Sequence, residues 1–341
     1  MSEVTAASST SEGGFSAKSV IRFALKTLAV AIVLLIVMIV ASSVLLPAET
    51  MDAAPEEEGN VMLLLFIICF VDALILALVI TQSRWRGWPL ILGLTFAFYG
   101  TKTLVGQIEA IVFLTPLGER WGAGSIPVLT MPMDFIVSQI LIGAATAIVG
   151  IPVAVFLFRK ARAAQEPQPL RLNPGIDARQ WLWKLGAIII LYELLYFGFG
   201  YYVAWKNPVI LAFYQGADPG SFLAQMQNVA TQTPTLIPFQ AMRALLWTAF
   251  ALPLVAMLRH KGWAGALLTG LFVSVPMNIP HIVPNAYMPA DVRLVHFVET
   301  VSSTFIFGLL LFWLLHRSHR SLVDLFSATP RAGRLQEAAQ Q

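Results

Sequence analysis

Charge is what this sequence has least of. Only 12% of its 341 residues are Asp, Glu, Lys or Arg, while 57% are hydrophobic. A soluble domain of this size carries about a quarter charged residues to solvate its surface. A chain with half that share hides its surface in lipid, which excludes the ordinary soluble classes. The net charge of +3 is too small to mark a nucleic-acid partner, and it reflects where the basic residues sit relative to a membrane.

Cysteine is nearly missing. Cys69, alone inside an apolar run, excludes an internal disulfide and a cysteine-rich zinc site, and reads as a small apolar filler. Familiar catalytic signatures are also lacking. No His-Glu-x-x-His occurs. Gly100-Thr101-Lys102-Thr103 ends like a phosphate loop, but the first glycine of that motif would fall on Thr95. The membrane CAAX-type proteases need Glu-Glu followed by Arg on a helix, and here Glu119-Arg120 and Glu56–Glu58 lie in loops. A rhomboid-type Gly-x-Ser-Gly is absent, because Gly124-Ser125 is followed by Ile126. No cofactor is expected.

What the sequence has is long apolar runs. A span needs roughly 20 apolar residues to cross about 30 Å of hydrocarbon. Eight segments qualify, at 23–46, 61–82, 89–115, 131–158, 181–204, 235–258, 263–284 and 293–316. The first is too long for a signal h-region of roughly 7–15 residues and reads as a retained span. Pro276, Pro280 and Pro284 interrupt the end of the seventh, and proline removes a backbone donor. The expected fold is an all-α polytopic transmembrane bundle of about eight spans, with both termini cytoplasmic.

Orientation follows from the basic residues. Seventeen of the 22 Lys and Arg fall on the side of the N-terminus in an eight-span reading, as the positive-inside rule requires. The expected location is the plasma (inner) membrane. The expected division is a disordered N-terminus (1–17), a first four-helix half (18–160), a proline-bearing linker (161–180), a second half (181–320) and a tail (321–341). Gln139 and Pro152 in span four, and Gln240 and Pro253 in span six, share one spacing, a hint of repeated helix pairs. The outer segment 206–235 reads as short interfacial helices.

Depth turns the scattered polar residues into a pattern. At about 1.5 Å per residue, Lys102, Glu109, Gln240, Arg243, Asn278, His281, His296 and Glu299 all fall in the outer third of the bilayer. Asp72 and Glu193 sit near the midplane. Charge at depth is costly, so it faces the bundle interior and finds a partner. If those partners only fix packing, the expected pairs are Arg243 with Glu299 and Lys102 with Asp72. If they serve a function, the eight outer residues form a site for a small polar or anionic ligand arriving from the outer side. The expected class is therefore a transporter or small-molecule-binding protein. Two alternatives stay open. One is an intramembrane enzyme using His281, His296 and Glu299, a trio that also offers a metal a ligand set. The other is a structural or sensory subunit. The partners expected are the lipid bilayer and such a ligand, with oligomeric state undefined by the sequence.

Overall fold

The computed structural model describes residues 16–47, 60–120, 130–162, 176–259, 262–285, 287–319 and 322–325. The expected disordered terminus, most of the linker and most of the tail lie outside the described residues. Within them the chain is an all-α polytopic helical bundle.

The long helices follow the apolar runs. They are α1 (Ala17–Leu45), α2 (Val61–Gln82), α3 (Gly87–Tyr99), α4 (Val105–Phe113), α5 (Met133–Leu157), α6 (Ala178–Phe199), α9 (Leu236–Met257), α10 (Trp263–Asn278) and α11 (Ala290–Leu315). Two short helices, α7 (Pro208–Phe213) and α8 (Phe222–Gln232), occupy the segment expected to carry interfacial ones. Their starts are written in the sequence. Asn207 and Ser221 each accept a hydrogen bond from an N–H of the first turn, and Pro208 fills the first helical position, where its missing donor costs nothing. Asn60 caps α2 and Asp177 caps α6 in the same way.

Among the described residues, seven helices are long and apolar enough to cross a membrane. The eighth passage is α3 and α4 joined by a π turn, Gly100–Leu104. It is less apolar because Thr101, Lys102, Thr103, Gln107 and Glu109 crowd into it. It runs from one end of the bundle to the other. At one end of the bundle, Gly87 N donates to Lys160 O (2.7 Å), Arg84 N to Met257 O (2.8 Å) and Arg259 N to Gln82 O (3.0 Å). There too Lys184 Nζ donates to Arg317 O (2.8 Å) and His319 N to Gln180 Oε1 (2.8 Å). At the opposite end, Met131 N donates to Leu114 O (2.7 Å) and Ser138 Oγ to Leu45 O (2.6 Å). Phe113 meets Phe239 there, ring to ring. The first end, rich in Lys and Arg, is the basic end, and the second is the far end.

One hydrophobic core spans the bundle, joining Leu34, Leu76, Leu94, Ile151, Trp247, Phe272 and Phe312. Lipid tails are as apolar as these side chains, so the core is held by close van der Waals packing rather than by removal from water. Helices α9 and α10 pack on α3 and α2 as well as on α6 and α11, so the core runs across the linker. Where helices approach most closely, glycine takes the contact. A Cβ on Gly308 of α11 would lie 2.7 Å from Gly270 Cα of α10, and one on Gly143 of α5 would run into the Thr103 hydroxyl.

Candidate functional site

The polar residues in the far half of the bundle gather into three connected groups. The deepest is built on the π turn, a local widening of the helix that recurs at functional sites. From that turn Lys102 Nζ reaches Asp72 Oδ2 of α2 at 2.7 Å and the carbonyl oxygen of Pro276 in α10 at 3.1 Å. Lys102 thus reaches down to the midplane carboxylate, as one of the two expected pairs has it. Asp72 is buried, its side chain 3% exposed.

The second group centres on Arg243 of α9. Its guanidinium donates to Gln240 Oε1, one turn earlier on the same face, at 2.9 Å, and to Glu109 Oε2 of α4 at 2.5 Å. Three rings, Tyr192, Tyr196 and Phe239, each hold their centroid 5.9 Å from the guanidinium carbon, within cation–π range. Arg243 is 4% exposed, whereas the Glu109 side chain is 30% exposed. The Arg243 Nε and the Gln240 Nε2, both buried, make no hydrogen bond to a described residue.

This pairing corrects one expectation. Arg243 pairs with Glu109, not Glu299. The Glu299 carboxylate is already taken by His296 one turn before it on α11, with Oε2 3.1 Å from Nδ1. Its other oxygen faces Gly200, where an added Cβ would come within 3.6 Å. Gly200 opens a second π turn, Gly200–Ala204, at the end of α6.

The third group grows from that contact. His296 Nε2 lies 2.7 Å from the Tyr214 hydroxyl just past α7. With its ring proton on Nδ1, His296 would donate to Glu299 and accept from Tyr214 at Nε2. Tyr214, His296 and Glu299 therefore form one hydrogen-bonded chain. Tyr196 lies within electrostatic reach of Glu109, Arg243 and Glu299, and so links this chain to the arginine group.

Asn278 ends α10 and His281 lies in the 3-10 turn Ile279–Ile282 just after it, at the edge of the cluster. Asn278 Nδ2 donates to Ser274 O (2.8 Å) and Thr304 Oγ1 (3.2 Å), while His281 Nδ1 bonds Asn278 O (2.8 Å). Both brace the broken end of α10 against α11, and Arg293 Nε adds a bond to His281 O at 3.2 Å. His281 and His296 are within electrostatic reach of each other, yet no side-chain hydrogen bond joins them.

Among the described residues no three His, Cys, Asp or Glu side chains converge to hold a metal ion. His296 already uses both ring nitrogens, so the trio of His281, His296 and Glu299 is not gathered as a ligand set. Glu193 is half-buried on α6 and stands apart from all three groups. Sequence reasoning overlooked Tyr214 as a partner. Its only signal was an aromatic carrying a hydroxyl in an otherwise apolar interfacial stretch. No family model, no curated protein and no solved structure matches the chain.

Proposed function

We propose that this multi-pass membrane protein is a transporter or small-molecule-binding protein, and that Arg243 is the anchor for an anionic ligand entering from the far end. That end is the outer one if the basic end faces the cytoplasm of a cell whose plasma membrane holds the chain. The observation that carries the reading is the asymmetry of the Arg243–Glu109 pair. The cation is sealed among three rings, and the carboxylate beside it remains accessible. Glu109 acts as an internal stand-in for a ligand carboxylate, since it can withdraw while Arg243 stays. The guanidinium, a rigid fork of donors, keeps an unused Nε for a second contact. The surrounding rings favour a ligand that carries an aromatic or apolar body beside its charge.

Benzoate joins a carboxylate to a ring, which suits it as a probe, with inorganic phosphate as the ring-free comparison. Binding to purified protein in nanodiscs is measured by calorimetry. Glu109→Gln removes the competing carboxylate and is expected to tighten benzoate binding at least tenfold, about 1.4 kcal/mol. Glu109→Gln/Arg243→Leu is expected to abolish it, and phosphate is expected to bind more weakly than benzoate. If neither probe binds the wild type or Glu109→Gln while both remain folded, the pair holds helices together and the structural reading stands in its place.

A further inference from the structure

We propose that the N-terminal turns of α1 and the end of α5 form a binding site for one anionic phospholipid, independent of the polar cluster at the far end. Lys18, Arg22 and Lys26 are spaced four apart on α1, so they stack as a single stripe along one face. They line an open concavity of about 440 Å³ whose remaining wall is apolar, formed by Ile21, Leu25 and Leu157 among others. Lys26 lies over the Phe158 ring at 5.4 Å, which pins its ammonium at the mouth. Arg22 and Arg159 are both within electrostatic reach of it.

Four cations therefore crowd one corner. Among the described residues no carboxylate forms an ion pair with any of them. Like charges four apart on a helix destabilise it, and an anion bound among them turns that repulsion into attraction. The apolar wall says which anion. Ile21 is 58% exposed and Leu25 61% exposed, a surface that a free phosphate would leave uncovered and an acyl chain would fill.

The position agrees. The stripe sits at the basic end of the bundle, the level of the headgroups, and the apolar wall continues from it towards the hydrocarbon. Basic residues at this level attract anionic lipid over a distance set by screening. Helix α1 packs chiefly on α2 and α5, so its outer face lies open to the bilayer. A phosphate held by the stripe with a chain along Leu25 and Leu157 satisfies both halves of the concavity.

The test uses the full chain, purified and reconstituted in nanodiscs of phosphatidylcholine doped with phosphatidylglycerol of the same acyl chains. Retained lipid is counted by native mass spectrometry, with glycerol 3-phosphate as a headgroup-only competitor. Wild type is expected to retain phosphatidylglycerol at least tenfold over phosphatidylcholine, with the preference falling as salt rises. Lys18→Gln/Arg22→Gln changes two exposed side chains and is expected to remove the preference without lowering the melting temperature. Arg179→Gln, exposed at the same end but on α6, a helix other than the two that α1 chiefly packs on, is expected to leave it unchanged. Equal retention of the two lipids by wild type overturns the site. So does a preference that survives the double variant, or one that Arg179→Gln removes equally. If glycerol 3-phosphate competes as strongly as whole lipid, the ligand is a soluble phosphate and the acyl-chain assignment fails.

Discussion

The ammonium of Lys102 donates to the carbonyl oxygen of Pro276 at 3.1 Å, an acceptor that its own helix cannot satisfy. In an α-helix that carbonyl would receive the N–H four residues on, and that residue is Pro280, which has none. One cation thus does two things in a place that lipid cannot hydrate: it neutralises Asp72 and closes the gap left by a proline.

Lys102→Met is expected to cost about 3–5 kcal/mol, the usual consequence of leaving a buried charge without its partner. Adding Asp72→Asn should restore most of that. The restoration should stay incomplete by about 1–3 kcal/mol, because the Pro276 carbonyl is still unpaired. Adding Pro280→Ala supplies an N–H and should narrow the remainder. Unfolding in mixed micelles measures all four chains, and a Lys102→Met protein as stable as wild type would remove the premise.

Arg243→Leu and Glu109→Gln should each destabilise the protein, the second by about 3–5 kcal/mol because it leaves a buried guanidinium without its carboxylate. Together they should cost less than the sum. The same cycle run with Glu299→Gln in place of Glu109→Gln should show no such recovery. Recovery with Glu299 instead would return the arginine to the partner expected from helix depth alone.

His319, at the basic end past α11, is 1% exposed and accepts a hydrogen bond from Arg317 Nε at Nε2 (3.2 Å). Burial, then the charges of Lys184, Arg317 and His316, push its pKa down to about 4. The unfolded chain takes up the proton first, near the ordinary histidine value of about 6.5. The stability that the neutral ring contributes is therefore full above pH 6.5 and drains away as pH falls to about 4. Melting temperatures across that interval should drop in wild type and drop less in His319→Gln. Parallel curves for the two would sink the assignment.

Gly308→Ala drives a methyl to within 2.7 Å of Gly270 Cα and 3.1 Å of Thr269 O, both backbone, so neither can step aside. A loss of about 1–3 kcal/mol is expected from such overpacking. Gly186→Ala on α6 meets nothing within 4 Å and should gain about 0.5–1 kcal/mol from helix propensity. Thermal unfolding of the two variants side by side decides it, and a neutral Gly308→Ala would mean that the helices part at little cost.

The sequence was most readable where one-dimensional signals suffice. Apolar length located the helices, and α2 begins and ends on the residues expected, because Asn60 caps it and the charges resume at Arg84. The all-α polytopic fold was legible for the same reason. Depth was legible too, since rise per residue converts position into height. Azimuth was not. Glu109 and Glu299 lie at similar heights, and only packing decides that α4 turns the first towards Arg243 while His296 occupies the second. The third apolar run also sits below the apolarity of the others, because it carries Lys102 and Glu109, so among the described residues seven helices are long and apolar enough to cross where eight runs were expected. Tyr214 escaped notice because its hydroxyl, just past α7, reaches back onto His296 of α11.

The meeting of Gly270 with Gly308 also settles how this bundle can deform. Two backbones in direct contact have no layer of side chains between them to slip or repack, so α10 and α11 behave mechanically as one plate. The plate carries His296, Glu299 and the broken end of α10 in a single frame. Glu109 and Lys102 ride on a different element, the passage with its π turn at Gly100, which meets the plate through the bond from Lys102 to Pro276 and through the Phe98 ring against Phe272. Opening the arginine group then means parting α4 from α9, the two helices that carry Glu109 and Arg243. A substitution that splits the plate, such as Gly308→Ala, would disturb the site without touching any of its polar atoms.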